Sequence, residues 1–156
     1  MMSQAIHDEE AVLRLKELSA WAFSCIQMEM EMENLFRCVD DDRHAKAHPF
    51  LSQVGLNRIH GFRYKICRVT GRIALQKSPR YRALFFPLSI GAGSRSIGSG
   101  ELVANFGVLK PGHWAEIRNF LVVDALMDCL IVLLPESTFP VEIQGQSRVI
   151  ENTLRY

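Results

Sequence analysis

Hydrophobic and polar positions divide the chain into a helical part, residues 1–78, and a strand-rich part, residues 79–156. Near the start, apolar or small residues recur at alternating spacings of four and three, with one gap at Glu29. They are Ala11, Leu15, Leu18, Ala22, Cys25, Met32, Phe36 and Val39. This spacing gives one apolar stripe and predicts a first helix over roughly residues 8–38.

The segment Met28–Glu33 alternates Met and Glu, and a period of two is typical of a strand. Met and Glu favour helix, however, and the flanking residues continue the helical stripe, so we interpret the segment as helical. A helix of this length exceeds what one small core covers. We therefore expect it to pack on a second helix of this chain or of a second copy, and we predict a homo-oligomer formed through this helix.

A second apolar stripe runs through residues 56–77 and predicts a second helix. Its members are Leu56, Ile59, Phe62, Ile66, Val69 and Ile73. Four basic residues share another face of this helix: Arg58, Lys65, Arg68 and Arg72. The alternative is a strand through residues 62–66, which alternate cleanly, and Gly61 and Gly71 also weaken a helix.

After Pro79, short apolar runs alternate with turn residues. The runs predict strands at Ala83–Ile90, Leu102–Leu109, Ala115–Val123, Cys129–Leu134 and Val141–Gln144. Short connectors indicate antiparallel pairing, although Pro111 and Pro135 could instead bracket one helix. The predicted fold is α+β in a single domain, 1–156, with two N-terminal helices packed on a C-terminal antiparallel β-meander or small barrel of about five strands.

Composition places the chain among soluble, intracellular proteins. It has 156 residues, of which 48% are hydrophobic, and no export sequence is visible at its start. The longest apolar run, residues 120–134, is interrupted by two aspartates and is too short to span a bilayer. The four cysteines are widely spaced with no C-x-x-C pair, which indicates reduced thiols and predicts a cytoplasmic location.

Charge is sorted strongly along the chain although the net charge is only +1. Residues 1–42 contain three Lys or Arg against ten Asp or Glu, a net charge of −7. Residues 43–100 contain eleven Lys or Arg and no acidic residue, and residues 101–156 have a net charge of −3. A long stretch without acidic residues indicates association with a polyanion or with an acidic surface.

The basic stretch leads to two hypotheses about function. In the first, a non-enzymatic accessory or regulatory protein binds nucleic acid through its basic helix and the residues that follow. The residues predicted to contact nucleic acid are Arg58, Lys65, Arg68, Arg72, Lys77, Arg80 and Arg82. In the second, the chain is a protein–protein adaptor in which the acidic and basic helices pair internally or with a partner.

A third hypothesis, an unrecognised enzyme or phosphate binder, depends on the glycine-rich segment Gly91–Gly100. Backbone N–H groups near Gly91 and Gly93 could hold a phosphate, with Arg95 adding charge. The segment lacks the Gly-Lys-Ser/Thr ending of a P-loop, so a hairpin loop is the better interpretation. His44 and His48 have a spacing that suits a metal, but no second cluster supplies further ligands, so we predict neither metal nor cofactor.

Arg68 and Arg72, four residues apart and ahead of predicted strands, resemble the arginine motif that opens cyclic-dinucleotide-binding PilZ barrels. Proteins of that family also carry an Asp/Asn-x-Ser-x-x-Gly motif in the barrel. This chain lacks it, since the segment 105–107 reads Asn-Phe-Gly without the serine. We therefore assign the chain to no family from its sequence.

Overall fold

A computed structural model describes residues 3–91, 102–104 and 107–137. Two helices, α1 (Glu9–Ser24) and α2 (Arg43–Gln53), and a 3-10 turn at Leu56–Arg58 lie in the first part. The strands are β1 (Gln4–Ala5), β2 (Met28–Met32), β3 (Leu35–Cys38), β4 (Arg63–Gln76), β5 (Tyr81–Ile90), β6 (Leu102–Ala104), β7 (Gly107–Leu109), β8 (His113–Ile117) and β9 (Phe120–Pro135).

Among the described residues, seven strands form one antiparallel sheet in the order β1-β8-β5-β9-β4-β3-β2. The long strands β4 and β9 pair along their whole length, from Arg63 opposite Leu133 to Gln76 opposite Phe120. Strands β6 and β7 form a separate hairpin. The predicted α+β class is confirmed, and the sheet is antiparallel but open at both edges, β1 and β2.

The sheet must be strongly curved, because its pairing brings the two ends of β9 towards each other. Phe120 at the start of β9 pairs with Gln76, and Pro135 at its end pairs with Tyr81. The five-residue step from Gln76 to Tyr81 spans at most about 17 Å. A straight strand the length of β9 would span about 50 Å, so β9 has to bend. A bulge in β5 between Pro87 and Ser89 adds to this bending.

Both faces of the curved sheet are buried over much of their area. On the outer face, buried residues of β4, β5 and β9 such as Ile66, Phe86 and Leu130 pack in one cluster with α1 and α2. The concave face holds a second cluster of buried residues that includes Cys67, Phe85 and others from the same three strands. Adjacent residues along these strands therefore lie in different cores. The strands lack the alternation of apolar and polar residues that a strand with one exposed face shows.

The first half of the predicted first helix is confirmed. Asp8 caps α1 by accepting a hydrogen bond from the backbone N–H of Glu10, and acidic residues occupy the first turn. The buried side of α1 consists of Ala11, Leu15, Leu18 and Ala22, the residues that the stripe predicted. The sheet and α2 cover this stripe within the chain, so it no longer requires a second copy as cover.

The second half of the predicted first helix is wrong. The chain leaves α1 after Ser24 and forms the hairpin of β2 and β3, in which Met28 lies opposite Cys38. The Met/Glu alternation is therefore a strand pattern. Pairing of this segment with β3, and of β3 with β4, outweighs the helix preference of Met and Glu. Asn34, with a positive φ of 66°, makes the turn of the hairpin.

The predicted helix over residues 56–77 is also wrong, and the alternative of a strand through residues 62–66 is the observed structure. Only the 3-10 turn Leu56–Arg58 is helical, and the rest becomes the fourteen-residue strand β4. The apolar residues of this segment recur every three or four positions because β4 is buried on both faces, so apolar residues do not occur only at every second position. Gly71 suits this strand because a Cβ there would lie 2.9 Å from the side chain of Asn34.

The strand-rich part was correctly predicted to form antiparallel strands, but the boundaries of those strands were wrong. Strand Ala83–Ile90 corresponds to β5, whereas the predicted strands Ala115–Val123 and Cys129–Leu134 are β8 and the single long strand β9. The predicted strand Leu102–Leu109 is divided between β6 and β7, and Val141–Gln144 lies outside the described residues. Strand β4, which pairs with the central strand β9, was predicted only as the alternative through residues 62–66.

In the described part of the chain, neither helix is long and apolar enough to cross a membrane.

Candidate protein-interaction site

Arg68 lies on the outer face of β4, beneath the C-terminal end of α1. Its Nη2 donates hydrogen bonds to the carbonyl oxygens of Ala22 at 2.7 Å and Phe23 at 3.3 Å, and its Nη1 to that of Cys25 at 3.0 Å. These carbonyls lie at the end of the helix and carry the negative end of its dipole, and that of Ala22 also accepts a hydrogen bond from the N–H of Cys25. Arg68 therefore acts as a cap that attaches α1 to the sheet.

Asp128, opposite Arg68 on β9, completes this arrangement. The Nε of Arg68 donates to Oδ1 of Asp128 at 2.8 Å, and the Oγ of Ser89 donates to Oδ2 at 3.5 Å. The side chain of Asp128 is only 4% exposed, so its charge is held by these partners rather than by water. The bond to Asp128 raises the pKa of Arg68, which keeps the guanidinium charged.

Exposed apolar side chains surround this ion pair. We call four of them the apolar rim: Phe23, Ile26, Met30 and Leu126, which are 72%, 90%, 64% and 46% exposed. Phe23 carries one of the carbonyls that Arg68 binds, and Ile26 follows another, that of Cys25. Met30 pairs with Phe36, which pairs with Arg68, and Leu126 is two residues from Asp128 along β9. Large exposed apolar groups that gather in one place mark an interaction surface.

The strand β2 lies beside this rim at an edge of the sheet, with no described strand beyond it. Met28 and Met30 pair with Cys38 and Phe36 on the outer side of the hairpin, while Glu29 pairs with Arg37 on the other side. A bulge follows Met30. Up to the bulge, the edge thus carries methionine on one side and Glu29 on the other, and no described strand pairs with its outer backbone groups.

Three of the seven basic residues predicted to contact nucleic acid form ion pairs within the fold. Besides Arg68, the Nζ of Lys65 lies 2.9 Å from Oε2 of Glu31. The guanidinium of Arg82 lies 2.8 Å from Oε1 of Glu116, and that hydrogen bond holds the pKa of Glu116 below its usual range. The pairing of Lys65 with Glu31 joins the basic stretch to the acidic N-terminal segment, but through two strands and not through the two helices that the adaptor hypothesis expected.

The other four basic residues are not collected on one helix. Arg58 is exposed in the 3-10 turn, Arg72 is exposed on the outer face of β4, and Arg80 is exposed in the turn before β5. The Nζ of Lys77 bonds the carbonyl of Ser78. They occupy three different elements, so the basic helical face that the sequence predicted is absent from the described structure.

The structure describes the histidines His44 and His48 but only part of the glycine-rich segment. The N–H of Gly91 donates to the carbonyl oxygen of Leu126 at 2.7 Å, which attaches it to β9, while Gly93 and Arg95 lie outside the described residues. His44, on α2, bonds the hydroxyl of Tyr64 through Nδ1. Among residues 3–91, 102–104 and 107–137, no three His, Cys, Asp or Glu side chains converge as a metal site would require.

Comparison with known proteins adds no family to this description. No protein-family model matches the chain, and no curated protein matches it. The site therefore has to be interpreted from its own contacts.

Two parts of the site, Asp128 and the strand β2, were not predicted, although a feature of the sequence indicated each of them. Asp128 interrupts the longest apolar run, and a carboxylate in such a run has to find a cation when it is buried. The Met/Glu alternation was the signal for β2, but it was assigned to the helix. Nothing in the sequence indicates that Arg68 reaches the end of α1, because 42 residues separate it from Cys25.

Proposed function

We propose that this protein is a non-enzymatic interaction module that binds an extended segment of another protein along the edge strand β2. The observation that carries the proposal is the position of the apolar rim beside a strand edge with which no described strand pairs. An added strand gains main-chain hydrogen bonds from the edge, and its side chains contact the surfaces on either side. The rim residues Phe23 and Ile26 would contact the apolar side chains of such a segment, whereas Leu126, on β9, lies three strands away from β2.

The chemistry of the edge selects the kind of segment. Side chains of an added strand alternate between the two sides, so one set meets Met28 and Met30 and the other meets Glu29. Glu31, which follows at the bulge, is already paired with Lys65. The matching segment alternates apolar residues with Lys or Arg. Methionine suits this role because its flexible thioether adapts to different apolar partners.

A second copy of the chain is a poorer match for the same edge. Two β2 strands paired antiparallel would bring Glu29 and Glu31 of one copy opposite carboxylates of the other, and like charges in opposed positions are destabilising. The acidic side of β2 therefore opposes self-pairing and favours a basic partner. Self-association through α1 remains a prediction that the oligomeric state in solution tests.

The experiment is a binding titration of the full chain with a short fluorescent peptide of alternating Lys and Val. We expect saturable binding that weakens with salt, and no binding of a matched peptide of alternating Glu and Val. Met30→Lys should weaken binding at least about tenfold, because it places a cation in the apolar contact and repels the peptide. Leu13→Lys is the control, since Leu13 is 49% exposed on α1, away from β2.

The outcome that contradicts the proposal is equal loss of affinity for the Met30→Lys and Leu13→Lys variants, or equal binding of the acidic and basic peptides. Either result would show that the peptide does not lie along β2.

Nucleic-acid binding is the rival outcome and needs its own variant. Because Lys65 and Arg68 hold ion pairs in the fold, the suitable test changes the exposed residues Arg58, Arg72 and Arg80 together to Ala. If duplex DNA or RNA binds at low salt and this triple variant loses that binding, the basic stretch is a polyanion site. We expect no such retention, since the three residues lie on separate elements.

A further inference from the structure

The four cysteines of the chain, all buried, lie in two pairs although they are widely spaced in sequence. The Sγ atoms of Cys25 and Cys38 are 3.6 Å apart. Cys67 and Cys129 lie directly opposite each other on β4 and β9, each 0% exposed in the concave core. A spacing of 3.6 Å between sulfurs needs only a small movement to reach the length of a disulfide bond.

The first pair brackets the hairpin that carries the proposed binding edge. Cys25 follows the last residue of α1, and Cys38 is the last residue of β3. The residues between them include the whole of β2 and the rest of β3. The Arg68 cap also holds the carbonyl oxygen of Cys25 in place, so the end of α1 and the base of the hairpin are already fixed near each other.

We propose that Cys25 and Cys38 form a dithiol site that a low-molecular-weight disulfide oxidises to an intramolecular disulfide, which closes the base of the β2–β3 hairpin. In the first step, one protein thiolate attacks a sulfur of oxidised glutathione, forming a mixed disulfide and releasing one glutathione thiolate. In the second step, the other protein thiolate attacks the protein sulfur of that mixed disulfide and releases the second glutathione. Two protein thiols and one glutathione disulfide thus yield one protein disulfide and two glutathiones.

Accessibility distinguishes this pair from the second one. Cys25 is 6% exposed and is followed by Ile26, which is 90% exposed, so a small movement of this link uncovers its sulfur. Cys67 and Cys129 lie inside the sheet on its two longest strands, where exposure requires the core to open. Oxidation should therefore select Cys25 and Cys38.

The environment of Cys38 slows the step in which its own thiolate attacks. Burial raises the pKa of the Cys38 thiol to about 11, so little thiolate exists at neutral pH. The exchange should be slow at neutral pH and accelerate as the pH rises. Such a pair forms its disulfide under a sustained change in redox conditions and does not act as a rapid peroxide sensor.

The test incubates the folded full chain with oxidised glutathione, blocks the remaining thiols with N-ethylmaleimide, and measures intact mass and proteolytic fragments. We expect a loss of the mass of two hydrogen atoms, a linked fragment containing Cys25 and Cys38, and two cysteines alkylated after denaturation. Melting temperature should rise, since the disulfide closes a loop in the unfolded chain. No partner is needed, so the result is independent of the proposed function.

Two variants make the outcome decisive. The Cys67→Ser, Cys129→Ser double variant should still form the disulfide, whereas Cys25→Ser should retain at most a mixed disulfide with glutathione. If the double variant fails to fold, mapping of the linked fragments in the unaltered chain decides alone. A link between Cys67 and Cys129, disulfides between chains, or Cys25 and Cys38 still open to alkylation would overturn the proposal.

Discussion

The outer face of β4 and β9 has two halves. Both halves lie on the same strands, but only one of them is covered by the helices α1 and α2. In one half, Ile66 and Leu130 are 0% exposed beneath the helices. In the other half, Thr70, Arg72 and Ala74 of β4 are exposed to solvent, as is Phe120 of β9, at 48%. The strand geometry is continuous, so the helices decide which part of the face becomes core and which part remains available to a partner.

The boundary between the halves is the ion pair of Arg68 with Asp128. On one side of it the helix α1 ends, and on the other side Leu126 begins the exposed surface. The comparison shows why a cation and a carboxylate occupy this row. Arg68 donates to the last carbonyls of α1 where the helix ends, and Asp128 accepts a hydrogen bond from Arg68. The pair separates the covered half of the face from the half that presents the apolar rim.

The largest expected difference between the halves is in the response to loss of an aromatic ring. Phe86→Ala should lower the free energy of unfolding by about 3–5 kcal/mol, because the ring is fully buried against Phe50 and Trp114 in the covered half. Phe120→Ala in the open half should change it by less than about 1 kcal/mol. Chemical denaturation of both variants measures the two values.

Similar losses for Phe86→Ala and Phe120→Ala would show that both halves of the face are covered in solution, which would contradict the division described above.

A substitution at the boundary between the two halves should give the next largest change in the free energy of unfolding. Arg68→Ala should destabilise by about 3 kcal/mol, because it leaves the buried carboxylate of Asp128 without its cation and the end of α1 without its cap. Arg72→Ala is the matched control, since it lies on the same strand and face but is exposed. We expect that change to stay within about 0.5 kcal/mol in the same denaturation experiment.

If Arg68→Ala and Arg72→Ala are equally tolerated, the assignment of Arg68 as a structural cap is wrong.

A smaller effect should appear in the pH dependence of the ion pair between Arg82 and Glu116. The hydrogen bond from Arg82 lowers the pKa of Glu116 in the folded state, so the unfolded state takes up a proton first as the pH falls. The stabilisation is present above the unfolded pKa of glutamate and is lost as the pH falls through the lowered folded pKa. Glu116→Gln should remove roughly 1 kcal/mol at neutral pH and flatten the acid limb of the stability curve.

The measurement is the free energy of unfolding from neutral pH down to the acid limb for Glu116→Gln and the unaltered chain. A constant difference between them at every pH would contradict the assigned role of this pair.

How far the sequence predicted the fold depended on how many faces of each element are buried. The α1 stripe was read correctly because a helix with one buried side keeps a clear period. Strand β4 was misread because Ile66 and Val69 enter different cores, so its apolar spacing imitates a helix. Strand β2 was misread because helix preference is a weak local term, and pairing with β3 outweighs it.

For the site, the sequence supplied the charged residues but not their partners. The basic stretch suggested one face, whereas its members are divided between pairs such as Lys65 with Glu31 and exposed positions such as Arg58. These pairings join residues far apart in sequence, and only the strand register and the curvature of the sheet set them. The internal charge match was foreseen as an alternative, but not which residues would form it.

The most direct test of the open edge is hydrogen exchange of the backbone amides, measured with and without the Lys/Val peptide. We predict slower exchange across Met28–Met32, because the added strand provides acceptors for outward N–H groups of β2. Exchange at the opposite edge, Gln4–Ala5, should not change. Protection of both edges alike, or unchanged exchange at β2 when the peptide is saturating, would contradict the account.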